Sequence, residues 1–307
     1  MNGLDAIKIW FVGGGGFAAS CLAHMSKSLR FEKIITSLPT RAGRGLSEQL
    51  SRVEETALGL ALSVERVSSL SKDQKITESL LLSPPDLAFV IDFGQIIKEP
   101  LLNAPRFGCL NIHPSLLPLW RGAAPVQRAI LAGDAKSGVT LFRLVEEMDA
   151  GPILRQAEVP VPINMSANEL FDVLAFTGSQ IAIESVEFLS KGEAFQYSEQ
   201  NHELATYADK LSKAEAEVRW SLDALQIHNS VRAFASSVGA FTFYNGKRLK
   251  LWRTEPRDSL STEGGPVAVC GKGYLRLVEV QPEGKRKMSG AEWLRGLGVK
   301  SVEIRFD

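Results

Sequence analysis

The sequence predicts an α/β protein: a doubly wound, mostly parallel sheet followed by a small, OB-like β-barrel. Three observations predict it. Leu87–Ile91 (LAFVI) and Cys109–His113 (CLNIH) are compact apolar runs with little polar alternation, the pattern of strands covered on both faces. Segments of helical spacing alternate with such runs through the first 190 residues, as crossover connections in a parallel sheet require. Beyond residue 240 the pattern changes to short β-type runs separated by turn residues, the signature of a small barrel.

In chain order, Ile7–Val12 is a first strand closed by the glycines Gly13–Gly16. Phe17–Leu29 has helical spacing, with Phe17, Cys21, Leu22 and Met25 near one face. Lys33–Ser37 is a second strand, Arg41–Gly45 a glycine-bearing loop and Leu46–Leu62 a helix. Lys72–Leu82 is another helix, stopped by Pro84-Pro85. Val139–Val145 is strand-like, and Ala167–Leu189 is a long helix ending at Lys191-Gly192. Residues 1–190 thus read as one domain, 191–207 as a polar linker, and 208–307 as a second domain. In the second, a helical segment around Ser221–Ala235 precedes five short strands: Ala240–Tyr244, Arg248–Trp252, Val267–Val269, Tyr274–Val280 and Val302–Phe306.

Composition narrows the function classes. Of the 307 residues, 45% are hydrophobic and 23% charged, too apolar for a disordered chain. No apolar run is long enough to cross a bilayer, and the N-terminus lacks the basic start of a signal peptide. The three cysteines, Cys21, Cys109 and Cys270, lie far apart without CxxC spacing. The expectation is therefore neither a disulfide framework nor a zinc site, and a cytoplasmic protein. Lys and Arg total 35 and so do Asp and Glu, yet residues 241–300 hold 12 basic and 6 acidic residues, an excess of six. Such an excess suits either a solvated surface or a patch for a polyanion such as RNA.

The chemistry concentrates in Asn111–Pro125 (NIHPSLLPLWRGAAP). Asn111 and His113 are two apart at the end of a strand and share a face. In a doubly wound sheet that end is where ligands bind. An amide beside an imidazole there can donate to a carbonyl oxygen that becomes an oxyanion. Asp149, in MDAGPI, is either part of a plain bend at Asp149-Ala150-Gly151 or a carboxylate that orients the His113 ring and favours its charged form. No serine or cysteine nucleophile is indicated, and Cys109 reads as core packing. Gly13, Gly15 and Ala18 match part of a dinucleotide fingerprint, but Thr36 and Ser37 stand where its acidic residue belongs.

The run NIHPSLLP, then WRGAAPVQRAI, then Asp149 38 residues after Asn111, resembles the folate-dependent formyltransferases. Ala42–Gly45 (AGRG), Thr206–Trp220 and Leu277–Met288 (LVEVQPEGKRKM) resemble stretches of the methionyl-tRNA formyltransferases within that family. The resemblance covers nearly the whole chain and implies a Rossmann-like catalytic domain with a tRNA-binding β-barrel. It implies transfer of a formyl group from 10-formyltetrahydrofolate, as cosubstrate, to the α-amine of initiator methionyl-tRNA, with no metal. It implies catalysis by Asn111, His113 and Asp149. Folate contacts would come from Ser115, Leu116, Leu117 and Pro118, and from Val90, Phe93 and Gly94. tRNA contacts would come from Arg44, Lys247, Arg248, Lys250, Lys285, Arg286 and Lys287. A monomer is expected.

The chain departs from the family pattern at Gly13–Gly16, where Thr-Pro or Ser-Pro is usual, at Asp92 and Phe93, where a small residue and tyrosine are usual, at Leu46–Glu48, where lysines often follow, and at Leu119, often basic. Three other readings stand beside this one: a sugar-nucleotide N-formyltransferase with the same trio, a pyridine-nucleotide oxidoreductase, and a non-catalytic RNA-binding module.

Overall fold

Continuous apolar runs become the centre of the first sheet, and the punctuation between them becomes caps and turns. The computed structural model describes residues 7–42, 47–260, 265–298 and 303–306. In chain order the first elements are β1 (Ile9–Gly13), α1 (Gly16–Met25), β2 (Lys33–Ser37), β3 (Thr40–Ala42), β4 (Ser47–Gln49), α2 (Arg52–Gly59), β5 (Glu65–Val67) and α3 (Gln74–Leu82). Then come β6 (Leu87–Ile91), β7 (Cys109–His113), β8 (Arg121–Gly122), α4 (Pro125–Ala132), β9 (Lys136–Arg143), β10 (Ile153–Pro160), α5 (Ala167–Ser190) and β11 (Tyr207–Ala208). The chain finishes with α6 (Ala224–Phe234), β12 (Ala240–Tyr244), β13 (Lys247–Arg257), β14 (Val267–Val269), β15 (Tyr274–Pro282), β16 (Met288–Ser289), α7 (Gly290–Gly296) and β17 (Glu303–Ile304).

The chain divides into two compact units. The first comprises residues 1–122, 137–159 and 171–207; the second comprises 123–136, 160–170 and 208–307. The first holds a seven-stranded sheet in the order β10-β9-β7-β6-β1-β2-β5. Its pairs β1–β2, β1–β6, β2–β5 and β6–β7 are parallel, and β7–β9 is antiparallel. The chain leaves β1 for β2 and β5 on one side, then returns to β6 and β7 on the other. The carboxyl ends of β1 and β6 therefore flank the point where strand order reverses, and a crevice opens there.

Strand periodicity sorts the core. Trp10, Val12, Ile35, Val67, Ala88, Val90 and Cys109 form one cluster with Ile76 and Leu80 of α3. On α1, Phe17 meets Phe171 of α5 at 6.1 Å, and Ser179 of α5 donates to the Cys21 carbonyl at 3.4 Å. The helix starts follow local chemistry: Ser51 caps α2 by accepting from the Glu54 N–H at 3.0 Å, and Asp73 caps α3 by accepting from Ile76 at 3.1 Å.

The Ser51 cap corrects an expectation. Leu46–Leu62 is not one helix: Ser47–Gln49 is extended and pairs with Thr40–Ala42 as a hairpin, and helix begins only after the cap. Strands β5 and β10 also go beyond the sequence reading. β10 interrupts its apolar residues with Arg155, Gln156 and Glu158 and buries only Val159, so no continuous apolar run marks it.

In the second unit the sheet runs β12-β13-β15-β14-β17, with β16 on β15. Among the described residues this path is open, a curled half-barrel rather than a closed ring. Register shifts between Leu251 and Thr254 bend β13 and supply the curl. The turn joining β12 to β13 has Asn245 at φ 50° and Gly246 at φ 73°, both left-handed as a two-residue hairpin requires. Helix α6 carries a capping box between Asp223 and Gln226 and buries Ile227, Val231 and Phe234 in the core beneath the sheet. At about 1.5–3 kcal/mol for each such side chain, that face is a large part of what holds the unit together. Helix α7, unmarked in the sequence because glycines bound it, is fixed by a second capping box from Ser289 and Glu292.

Candidate active site

At the crevice, the glycine loop after β1 folds onto the end of β6. The N–H groups of Gly14 and Gly15 both donate to the Asp92 carbonyl, at 3.2 and 3.0 Å. A cleft of about 210 Å³ opens beside it, lined by Gly14, Gly15, Ser37, Leu38, Asp92 and Phe93 among others. Asp92 itself is left-handed, at φ 44°. The carboxyl group of Asp92 is crowded against Gly15. Burial pushes its pKa above the usual carboxylate value, while a hydrogen bond from the Phe17 N–H pulls the other way.

One strand along, Asn111 on β7 donates its amide to the Val90 carbonyl at 2.7 Å. That bond fixes the amide orientation, since a carbonyl only accepts. It leaves the second amide N–H for a ligand, and the Asn111 Oδ1 buried without a partner. Buried polar atoms ordinarily find partners, so this orphan oxygen and spare N–H fit a group that brings both a donor and an acceptor.

His113 is 5% exposed. Its Nε2 lies 2.9 Å from the Trp120 carbonyl, so Nε2 carries the proton of the neutral ring. Nδ1 then faces the Asp149 carboxylate at 3.8 Å. This arrangement leaves Nδ1 as the ring atom that can gain or lose a proton at the site. Asp149 accepts from the Gly122 N–H at 2.8 Å through the same Oδ2. Trp120 and Asp149 are both held at positive φ, 60° and 52°. Non-glycine residues in that region cost about 1–3 kcal/mol each and persist only where surroundings fix them.

The expected residues thus separate into groups. Asn111, His113 and Asp149 come together. Val90 and Phe93 are buried at the end of β6, and Gly94 is exposed at φ 73°. The SLLP loop is pinned from below. The Thr140 hydroxyl donates to the Ser115 carbonyl at 2.7 Å, and Gln156 donates to the Leu117 carbonyl at 2.8 Å. The Ser115 hydroxyl donates to the Leu119 carbonyl at 2.6 Å, which commits its one donor to the loop. Leu117 is likewise buried, while Leu116 and Pro118 keep partial exposure. Lys247, Arg248, Lys285, Arg286 and Lys287 are exposed, and Lys250 partly so. Arg44 lies outside the described residues. Cys21 and Cys109 are buried with thiols pushed up to about 12, which keeps both protonated and unreactive. Among the described residues no group of three or more His, Cys, Asp or Glu could hold a metal, and no helix is long and apolar enough to cross a membrane.

Residues 8–186 match the model of the formyl transferase family, and 210–298 match that of the formyl transferase C-terminal domain. The methionyl-tRNA formyltransferase of Aromatoleum aromaticum is 38% identical over 98% of this chain and 97% of its own length. That of Magnetococcus marinus is 36% identical over 98% of each. The chain belongs to the methionyl-tRNA formyltransferase family. Solved formyltransferases share its fold at lower identity. The sugar 3N-formyltransferase WlaRD superposes with a TM-score of 0.65 at 20% identity, over 91% of this chain and 99% of its own. The N-formyltransferase from Helicobacter canadensis gives 0.65 at 19%, over 92% and 100%. Both were solved with a folate compound, 5-N-formyl-THF and folinic acid respectively.

Sequence reasoning missed the supports of the trio. Arg121 sat inside the NIHPSLLPLWRGAAP run without a role, and Gln200 lay in the stretch read as linker. Both are buried beside Asp149. A lone arginine next to the His113 strand end was a readable signal; Gln200 offered none.

Proposed function

We propose that this chain transfers the formyl group of 10-formyltetrahydrofolate to the α-amino group of methionine on initiator tRNA. The observation that carries the reading is full-length identity of 36–38% to methionyl-tRNA formyltransferases, joined to the Asn111–His113–Asp149 geometry. In this reading the neutral amine attacks the formyl carbon, forming one C–N bond. The carbonyl oxygen becomes an oxyanion and takes the free Asn111 N–H. His113, fixed through Nε2, meets the reacting atoms through Nδ1. Asp149 holds that side of the ring and, through water, moves the proton from the amine to the departing folate nitrogen as the old C–N bond breaks. No covalent intermediate with the protein forms. The folate lies along the SLLP loop and the end of β6. The enzyme works as a monomer in the cytoplasm, with the second unit and Arg44 holding the tRNA.

The solved neighbours include sugar N-formyltransferases, so the decisive experiment is an acceptor panel. With 10-formyltetrahydrofolate as donor, initiator methionyl-tRNA should be formylated and amino-sugar nucleotides should not. Asn111→Ala should lower turnover about 100- to 1000-fold. Preference for an amino-sugar nucleotide would overturn the acceptor assignment.

A further inference from the structure

We propose that Arg121 and Gln200 are positioning residues for Asp149, setting its distance from His113. The inference rests on the catalytic reading of Asp149 above and goes beyond it. Asp149 sits at φ 52°, a conformation its own chain does not favour. Its main chain must be held from outside. Gln200 does so: its Nε2 donates to the Asp149 carbonyl at 2.9 Å and to the Gly151 carbonyl at 2.7 Å. The amide can point only this way, because its Oε1 accepts from Arg121 Nε at 3.2 Å and Nη2 at 2.7 Å. Gln200 is 5% exposed and Arg121 1%.

The guanidinium is expensive to bury, and among the described residues no buried carboxylate repays it. Its remaining partners are the His202 Nδ1 at 3.2 Å and a long ion pair to Glu147 at 3.8 Å, whose side chain is 69% exposed. A cation kept there at that cost has a task other than stability. Its neighbours in sequence show the task. The Trp120 carbonyl holds His113, and the Gly122 N–H holds the Asp149 carboxylate. Arg121, between them, holds Asp149 from behind through Gln200. One three-residue strip therefore grips both members of the pair, and the 3.8 Å gap between Nδ1 and Oδ2 is fixed by it.

The test is steady-state formylation of initiator methionyl-tRNA against pH, with thermal unfolding of each variant. Gln200→Glu separates the two halves of the clamp: it keeps an acceptor for Arg121 and removes both donors to the Asp149 turn. It should stay folded, lose about 10- to 100-fold in kcat, keep KM for both substrates within about twofold, and change the pH profile. Arg121→Lys, which lacks the fork, should show a smaller loss of the same kind. In an Asp149→Asn background Gln200→Glu should add little. Wild-type kcat and pH profile in Gln200→Glu, with Asp149→Asn inactive, would overturn the proposal alone. So would a loss confined to KM or to melting temperature. Wild-type turnover in Asp149→Asn would instead remove the catalytic reading beneath it. Should Gln200→Glu fail to fold, Arg121→Lys decides by the same readouts.

Discussion

Asp92 occupies space that a side chain at position 15 would need. A Cβ built on Gly15 collides with the Asp92 carboxylate. The backbone of Gly15, at φ −81° and ψ −178°, is open to any residue, so the obstacle is volume and not conformation. Asp92 is exposed and its carboxyl group can turn aside, so Gly15→Ala should destabilise by no more than about 0.5–1.5 kcal/mol, the cost of an off-rotamer side chain. In an Asp92→Ala background the same change should be neutral, or stabilising by about 0.4–1 kcal/mol through the unfolded chain. A double-mutant cycle of urea midpoints measures the coupling, and additive effects would refute it. The two departures from the family pattern, at the glycine loop and at Asp92, are one physical feature. Neither was readable as such from the sequence, because their contact joins residues 77 positions apart. Asn111 and His113 were readable, since strand periodicity alone puts them on one face. Gln200 was not: one amide in a polar stretch has no period, and its role exists only through Arg121 and Asp149.

Helix α6 illustrates what an element conceals. Its apolar spacing marked it in the sequence, but His228 on the same helix is 3% exposed. The Ile163 carbonyl lies 2.8 Å from Nε2, so Nε2 donates, and Nδ1 accepts from the Thr254 hydroxyl at 2.9 Å. Both ring nitrogens of the neutral form are thus satisfied. Burial, first, then the hydrogen bond to Ile163, Arg232 and Glu255, set its pKa, and the net direction is downward from 6.5. The unfolded chain takes up a proton near pH 6.5 and the folded chain does not. Stability present above that pH is therefore lost as pH falls through it, until the lowered folded value is passed. One proton limits the slope to about 1.4 kcal/mol per pH unit. Urea midpoints from pH 7.5 to 5 should fall less steeply in His228→Gln than in the wild type; parallel curves would exclude His228 as the source. Elements with long apolar runs, such as β6 and β7, were legible to the residue. The hairpin of β3 and β4 was not, because three-residue strands carry no period to detect.

At the scale of the whole molecule, charge separates from chemistry. The cations after the Asn245-Gly246 and Gly284 turns are exposed, Lys250 only partly, but they are not equivalent. Arg248 lies 4.1 Å from the Phe241 ring centre and Lys287 3.6 Å from that of Trp252. Both are already engaged with rings. Lys250 is also over the Trp252 ring, 5.6 Å from its centre, so Lys247, Lys285 and Arg286 should carry more of any phosphate attraction. Replacing those three with alanine should weaken binding of all tRNAs alike. For every phosphate no longer neutralised, the plot of log affinity against log salt should flatten by about 0.7–0.9. An unchanged slope would mean that these residues serve only the solvated surface.

The interleaving of the two units bears on how the protein is made. Helix α4 belongs to the second unit but is synthesised with the first, and its partner α6 follows far downstream. At roughly 5–20 residues per second, the nascent chain carries the apolar residues Val126, Ala129 and Ile130 for several seconds before α6 leaves the ribosome. Growth from the N-terminus supplies every residue of the first unit by position 207, whereas the second unit waits for α6 and the strands after it. A truncation after the first unit would leave α4 stranded, and a fragment starting at residue 208 would lack it. The protein is a single product of synthesis, even where its sequence reads as two consecutive domains.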